Sequence, residues 1–446
     1  MVTDRETHER PDWLVPGGRD VTALFDKQAT LEIHLPSEQS SLTGRRTIAR
    51  WMSERWAPGA IVRSCEVLES RGGMRVRAEV AAEGRSTRER HLVHIEHGLI
   101  VRHIIYPEKV PPRLGAESIR SNSPALAGAD PSRVVRTPLP PGFSGAPIEM
   151  LVLESGRKLI AKHIAPRWSW VMRATKDDGR EAALWANQIH PLPGVDAAVV
   201  DAAQLRDRWI LYMHDVSRAV SSSLDEGRLL ETLAGLYEQW PAEELSGLCN
   251  LEGRIALFSP DTSVRERSGW DLGPKIIGRG WELILDLIPV DLSELALDLI
   301  GDPRPLVEAL RSMECFLIHG DLRPGNVGQE EGRVVLIDWG LATFGPPALD
   351  LVWYAFNSRA FETIDEGLTA VRHACAGRFG DEATDLAVLA TFIQACPYFG
   401  FNAVQEPDPE LRAAARRDLS RWIDQAQEAI RRSGHLIRSP RNESAP

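Results

Sequence analysis

The spacing of apolar positions changes character several times along the chain. Between residues 11 and 110, Ile48, Trp51, Met52 and Trp56 recur at helical spacing within Thr43–Trp56, which predicts one amphipathic helix. The period then falls to two. Met74, Val76, Ala78, Val80 and Ala82 alternate with Arg75, Arg77, Glu79 and Ala81, the pattern of a half-buried strand. Turn residues bracket it at Arg71-Gly72-Gly73 and Glu83-Gly84, and His91–Glu96 and Leu99–Tyr106 meet at His97-Gly98 as a long hairpin. A helix followed by a curved antiparallel sheet is the expected α+β unit.

From 111 to 130 the apolar period is lost in a run rich in Pro, Ser, Gly and Ala, which reads as a linker. Beyond it, Met150–Leu153 and Lys158–Ile164 form a hairpin around Glu154-Ser155-Gly156-Arg157, with Ile160, Lys162 and Ile164 on one face. Asp177–Trp185 reads as a helix and Trp209–Met213 as an apolar strand. Leu229, Leu230, Leu233, Leu236, Tyr237 and Trp240 mark one amphipathic helix and Asp381–Ala395 another, and the tail frays from about Gly434.

The densest chemistry lies in Cys315–Tyr354, CFLIHGDLRPGNVGQEEGRVVLIDWGLATFGPPALDLVWY. A strand-like run delivers His319-Gly320-Asp321, Pro324-Gly325 turns the chain, and Asn326 follows Asp321 by five residues. Val334–Ile337 then leads into Asp338-Trp339-Gly340. Phosphoryl transfer asks a protein for a carboxylate at the acceptor hydroxyl and for hard oxygen ligands that hold Mg²⁺ on nucleotide phosphates. Asp321 fits the first task, Asn326 and Asp338 the second. His319 reads as a buttress of the catalytic loop. Arg323, two residues beyond Asp321, offers a permanent cation for the transferring phosphoryl or a salt bridge within the loop.

The H-x-D-x-x-x-x-N and D-x-G pair resembles the kinase-like fold, and within it the aminoglycoside phosphotransferase and choline kinase family. HGD replaces HRD, Asp350 follows Asp338 by only twelve residues, and GPPALDLVWY contains no A-P-E segment. That interval leaves no room for a long activation segment and favours small-molecule acceptors. The resemblance implies a nucleotide lobe over 131–217 and a catalytic, substrate-binding lobe over 218–434. It implies ATP and Mg²⁺ as cofactors, Lys162 on the phosphates, Glu181 as its ion-pair partner, and Asp350 as a structural brace. Ser144 and Gly145, in the Pro141–Gly145 turn, would cover the phosphates, although that turn departs from G-x-G-x-x-G and reads equally as an ordinary hairpin turn. Adenine would meet the backbone around Met213.

Residues 20–110, through VTALFDKQATLEIHL, SLTGRRTIARWM and HLVHIEHGLIVRHIIYPEK, resemble the nuclear transport factor-like (SnoaL-like) family. The implied architecture is a cone-shaped α+β barrel over 11–110 followed by the two-lobed kinase-like domain, its nucleotide lobe an antiparallel sheet and its second lobe mainly helical. In that family such domains bind small ligands, perform acid/base chemistry or only dimerise. A homodimer through this domain is therefore an expectation.

Composition narrows the picture. The chain has 446 residues with a formal net charge of -11, which argues against nucleic-acid partners and polybasic membrane attachment. The acidic excess is concentrated in 221–400 and suits a cationic acceptor as well as it suits a solvated surface. Without a secretory-type start or an apolar run long enough to span a bilayer, a cytoplasmic protein is expected. Five scattered cysteines suggest buried thiols. His34, His91, His94, His97 and His103 gather in the front domain, yet His91 and His94 fall on opposite strand faces, so no metal site converges. The alternative to an enzyme is a nucleotide-binding ligand sensor or dimerisation protein with a weakly active kinase-like domain. The acceptor, and ATP against GTP, are not written in the sequence.

Overall fold

In a computed structural model, the residues described are 5–7, 11–14, 21–35, 38–55, 61–70, 73–82, 85–108, 124–126, 130–139, 142–186, 192–220, 225–243, 245–267, 271–330, 332–358 and 361–437. Two compact units emerge. One comprises Met1–Val110, Ser263–Leu287 and Cys396–Leu419; the other comprises Pro111–Thr262, Ile288–Ala395 and Ser420–Pro446.

The first unit holds strands β1 (Arg5–Thr7), β2 (Phe25–Leu35), β3 (Glu38–Thr43), β4 (Ile61–Ser70), β5 (Gly73–Ala82), β6 (Arg85–Glu96) and β7 (Leu99–Glu108). They form one sheet in the order β1-β4-β5-β6-β7-β2-β3, antiparallel except where β2 meets β7. Helix α1 (Arg45–Arg55) buries Ile48, Ala49 and Met52 in a core with Phe25, Leu31, Ile33, Val76 and Ala78. The predicted helix face and strand alternation are thus the two sides of one core, with Trp56 and the turn residues 71, 72, 83 and 84 outside the described residues. His97 and Gly98, both at positive φ, close the β6–β7 hairpin, the backbone a two-residue turn demands. The other sheet face is not left to water. Leu92, Ile104 and Tyr106 pack on Leu272, Ile276 and Phe401 of the same unit, so this part of the sheet is buried on both sides.

In the second unit, β8 (Val135–Leu139), β9 (Ile148–Val152), β10 (Lys158–Ile164), β12 (Val199–Leu205) and β13 (Arg208–His214) make an antiparallel sheet ordered β12-β13-β10-β9-β8. Ala125 and Leu126 pack on Leu151, Leu159, Ala161, Ile210 and Tyr212 of this sheet. That part of the predicted linker belongs to the lobe's core, while 111–123 and 127–129 lie outside the described residues. Two small sheets flank the segment 319–338: β14 (Phe316–Ile318) with β17 (Thr343–Gly345), and β11 (Val195–Asp196) with β16 (Arg333–Leu336) and β15 (Val327–Glu330). Helices supply the rest of the lobe, and Glu226–Tyr237 buries Leu229, Leu230, Leu233, Leu236 and Tyr237 as its spacing predicts.

Two expectations need correction. The helix Asp381–Gln405 is not amphipathic over Asp381–Ala395: Ala383, Leu386, Ala387, Val388, Leu389 and Ala390 are all buried, as befits a helix surrounded by protein. It is also the one helix among the described residues long and apolar enough to cross a membrane, and 83% of its apolar window is buried inside the protein. Gly434, expected to fray, is buried in a short 3-10 turn, Gly434–Ile437.

Candidate active site

Strand β14 ends in His319-Gly320-Asp321, and the backbone there explains the glycine. Gly320 has φ +81°, and a Cβ at this position would lie 1.9 Å from the Leu341 carbonyl oxygen. Only glycine fits so tight a left-handed turn. A 3-10 turn over Pro324–Asn326 then brings Asn326 back, and its side-chain amide donates to the Asp321 carbonyl at 2.9 Å and to Asp321 Oδ2 at 3.2 Å. The Ile337 N–H donates to the Asn326 carbonyl at 3.0 Å, tying the end of β16 to the same loop. Asp338 follows with φ 70° and ψ 57°, a left-handed conformation that non-glycine residues adopt mainly at functional or strained positions.

Two buried side chains hold this loop from behind. His319 is fully buried, with Nε2 at 2.9 Å from the Ile337 carbonyl and Nδ1 accepting from the Asp321 N–H at 3.3 Å. It has no surface to offer a substrate and braces the loop, the part its place in the sequence suggests. Asp350 accepts from the His319 N–H at 2.6 Å, the Gly320 N–H at 2.9 Å and the Tyr237 hydroxyl at 2.6 Å. Burial pushes its carboxyl above the ordinary range despite these donors.

Lys162 of β10 reaches two carboxylates, Glu181 Oε2 at 2.6 Å and Asp338 Oδ1 at 2.5 Å. Glu181 stands in the first turn of the helix Arg180–Ala186, and its other oxygen accepts from the Trp339 N–H at 3.2 Å. Burial alone would lower the lysine, yet the two carboxylates raise its proton affinity above the ordinary value. Burial opposes ionisation of Asp338 too, but the Lys162 ammonium holds it below the usual carboxylate range. For Glu181, burial outweighs the ammonium and raises it. Asp338 is the open member of the trio, its side chain 38% exposed against 11% for Lys162 and 4% for Glu181.

The remaining predicted residues sit as follows. Arg323 Nε lies 3.2 Å from Asp321 Oδ2 with the guanidinium partly exposed. Gly145 has φ +83° in the turn between β8 and β9, and the Ser144 carbonyl accepts from the Trp170 N–H at 3.3 Å; Pro141 of that turn is outside the described residues. Met213, near the end of β13, packs with Ala198, Val216, Ala219 and Val335, and Ile160 and Ile337 line the same apolar cluster. The structure thus brings Lys162, Glu181 and Asp338 into one group and Asp321, Asn326 and Arg323 into another, with His319 bridging the loops.

Sequence reasoning missed Arg180, whose buried guanidinium donates to the Gly340 carbonyl and pairs with Asp177 at 3.4 Å. Its adjacency to Glu181 was the available signal. It also missed a pair in the first unit. His91 Nδ1 and His103 Nε2 meet at 2.9 Å, and Glu89 Oε2 lies 3.5 Å from His91 Nε2. Histidines twelve residues apart across a hairpin converge only once the register is known. No group of three His, Cys, Asp or Glu among the described residues is placed to hold a metal.

Comparison with known proteins bears on the same residues. Residues 294–392 match the phosphotransferase enzyme family. No curated protein matches the chain. Among solved structures, choline kinase LicA from Streptococcus pneumoniae is 15% identical, over 62% of this chain and 89% of its own, with a TM-score of 0.37. The macrolide 2'-phosphotransferase MphH from Brachybacterium faecium is 16% identical over 65% and 92%, with a TM-score of 0.36. An NTF2-like protein of unknown function from Mesorhizobium loti is 20% identical over 20% and 75%, with a TM-score of 0.18. The segment that carries His319, Asp321, Asn326, Asp338 and Asp350 is thus the one that matches the phosphotransferase enzyme family.

Proposed function

We propose that this protein transfers the γ-phosphoryl group of ATP to a hydroxyl of a small molecule, in the manner of aminoglycoside phosphotransferases. The observation that supports this best is the Lys162–Glu181–Asp338 trio, contributed by β10, the helix Arg180–Ala186 and the turn after β16, which sets one ammonium against two carboxyl groups. Such a site favours a further cation. Asn326 gives both side-chain amide hydrogen bonds to Asp321, which leaves its side-chain Oδ1, with the open Asp338 carboxylate, as a hard-oxygen pair suited to Mg²⁺. Bound Mg²⁺-ATP would supply the γ-phosphoryl group and the neutralisation of its developing charge.

The chain's own residues do the rest. Lys162 holds the phosphates, and Glu181 keeps the ammonium in place. The apolar cluster around Ile160, Met213 and Ile337 receives the adenine. Asp321 orients the acceptor hydroxyl and takes its proton as the new O–P bond forms and the bond to ADP breaks; the proton then leaves to solvent. Arg323 offers a cation beside the transferring group. The short Asp338–Asp350 interval and the acidic helical lobe favour small, cationic acceptors.

The test is a screen of candidate alcohols and amino sugars for acceptor-dependent ATP consumption with Mg²⁺. Asp321→Ala should reduce turnover by about a thousandfold or more while nucleotide binding persists. Full turnover by Asp321→Ala on an identified acceptor would defeat this reading.

A further inference from the structure

We propose that Trp353 is a positioning residue for Asp321, an inference that rests on the phosphotransferase reading above. Its indole N–H donates to Asp321 Oδ1 at 3.1 Å. The other carboxylate oxygen, Oδ2, accepts from Arg323 Nε and from the Asn326 amide, each at 3.2 Å. A carboxylate has about four lone-pair sites, so three donors on two oxygens fix its plane and leave one direction for an incoming hydroxyl. Arg323 and Asn326 crowd one oxygen. Trp353 is the donor that stops rotation about the other.

The helix Ala348–Asn357 explains how the indole gets there. Asp350 and Trp353 are three residues apart, hence on one face and one turn apart. Asp350 holds the backbone of His319 and Gly320, and Trp353 holds the side chain of Asp321. The ring itself has little freedom. It stacks on Phe258 at 6.0 Å with 13° between planes, and the Arg254 guanidinium lies over it at 5.1 Å. Arg254 also donates to the Gly320 carbonyl, and its own carbonyl accepts from Gln394 at 2.9 Å. A neutral donor held by a ring and a cation can align a carboxylate without adding charge to it.

Trp353→Phe keeps the stack and removes the N–H. Measured in the full chain as Mg²⁺-ATP hydrolysis, and with an acceptor once one is identified, this change should lower kcat by about 10–100-fold. The nucleotide KM should stay within about twofold, since Trp353 makes no contact with Lys162, Glu181 or Asp338 among its described hydrogen bonds. In the Asp321→Ala background the same change should cost nothing further. Trp353→His, which retains a ring N–H, should recover part of the loss.

An unchanged kcat in Trp353→Phe, or an equal cost with and without the Asp321 carboxylate, would overturn the proposal by making Trp353 a packing residue only. Should Trp353→Phe fail to fold, Trp353→His against Trp353→Leu, each with and without Asp321→Ala, carries the same comparison. The two readings fail separately: wild-type turnover in Asp321→Ala removes the phosphotransferase assignment, whereas loss in Asp321→Ala with none in Trp353→Phe removes this one.

Discussion

Lys162–Glu181–Asp338 in the second unit and Arg55–Glu89–His91–His103 in the first are made from similar parts, buried bases beside buried carboxylates. Their charges differ. In the former, one ammonium faces two carboxylates, and the least buried member, Asp338, takes a left-handed backbone. In the latter, the Arg55 guanidinium meets the Glu89 carboxylate, and burial lowers the proton affinity of both imidazoles, His103 to about 3 and His91 well below its ordinary value. The second set therefore balances without help at neutral pH. Burying an unbalanced charge is costly, so one ammonium set against two carboxyl groups beside an opening favours a further cation, as the phosphotransferase reading proposes.

Removing the ammonium is the largest intervention. Lys162→Met should cut ATP turnover by about two to three orders of magnitude and weaken nucleotide binding, because phosphate charge and the pair of carboxylates would both lose their partner. His91→Leu, by the same logic, should leave turnover within about twofold. Steady-state rates with Mg²⁺-ATP decide, and a large loss in His91→Leu would end the distinction between the two sets.

Acid should separate the regions next. Both imidazoles have folded-state affinities below the ordinary value near 6.5, so between that pH and the folded value the unfolded chain binds more protons than the native one. Stability must then fall as pH drops below about 6.5, by up to about 1.4 kcal/mol per pH unit for each imidazole, and be unaffected by them above it. Urea midpoints at pH 7.5, 6.0 and 5.0 test this, with the His91→Leu/His103→Leu pair expected to flatten the slope. His94, lowered to about 4, should retain its own share.

This contrast also shows what a sequence makes legible. The candidate-site loop could be read because its chemistry is local: His319, Asp321, Asn326 and Asp338 fall within twenty residues, and turn residues fix how they return on one another. Lys162 and Glu181 were reachable only through the resemblance, which asks for a lysine on a strand and a glutamate on the helix after it; spacing alone does not pair side chains nineteen residues apart. Trp353 was in view as part of DLVWY, but nothing in its spacing says that an indole reaches a carboxylate thirty-two residues earlier. The histidine pair depends on hairpin register, in which His91 opposes Ile105 and His103 opposes Val93, a diagonal that alternation alone does not select. The two-sided burial of β6 and β7 was hidden for a related reason. Leu92 and Ile104 meet residues 272, 276 and 401, and the period of a strand reports its own faces, not which distant helix covers them.

The smallest effect expected separates a hydrogen bond's worth from the cost of leaving it half made. The tautomer follows from the neighbours: His91 Nε2 faces the Glu89 carboxylate at 3.5 Å, so the proton belongs on that nitrogen, and His103 Nε2–H then donates to His91 Nδ1. His103→Leu would strand the His91 lone pair in the protein interior, and should destabilise the first unit at pH 7.5 by about 1–3 kcal/mol. Replacing both imidazoles by leucine removes donor and acceptor together, and should cost less than the sum of the single changes, because each single change alone leaves an orphan behind. Urea denaturation of the two single variants and the pair gives the coupling. A strictly additive result would mean that the 2.9 Å contact carries no energy of its own, and that the histidines are held by packing against Trp13, whose ring lies 5.0 Å from His91 and 4.7 Å from His103.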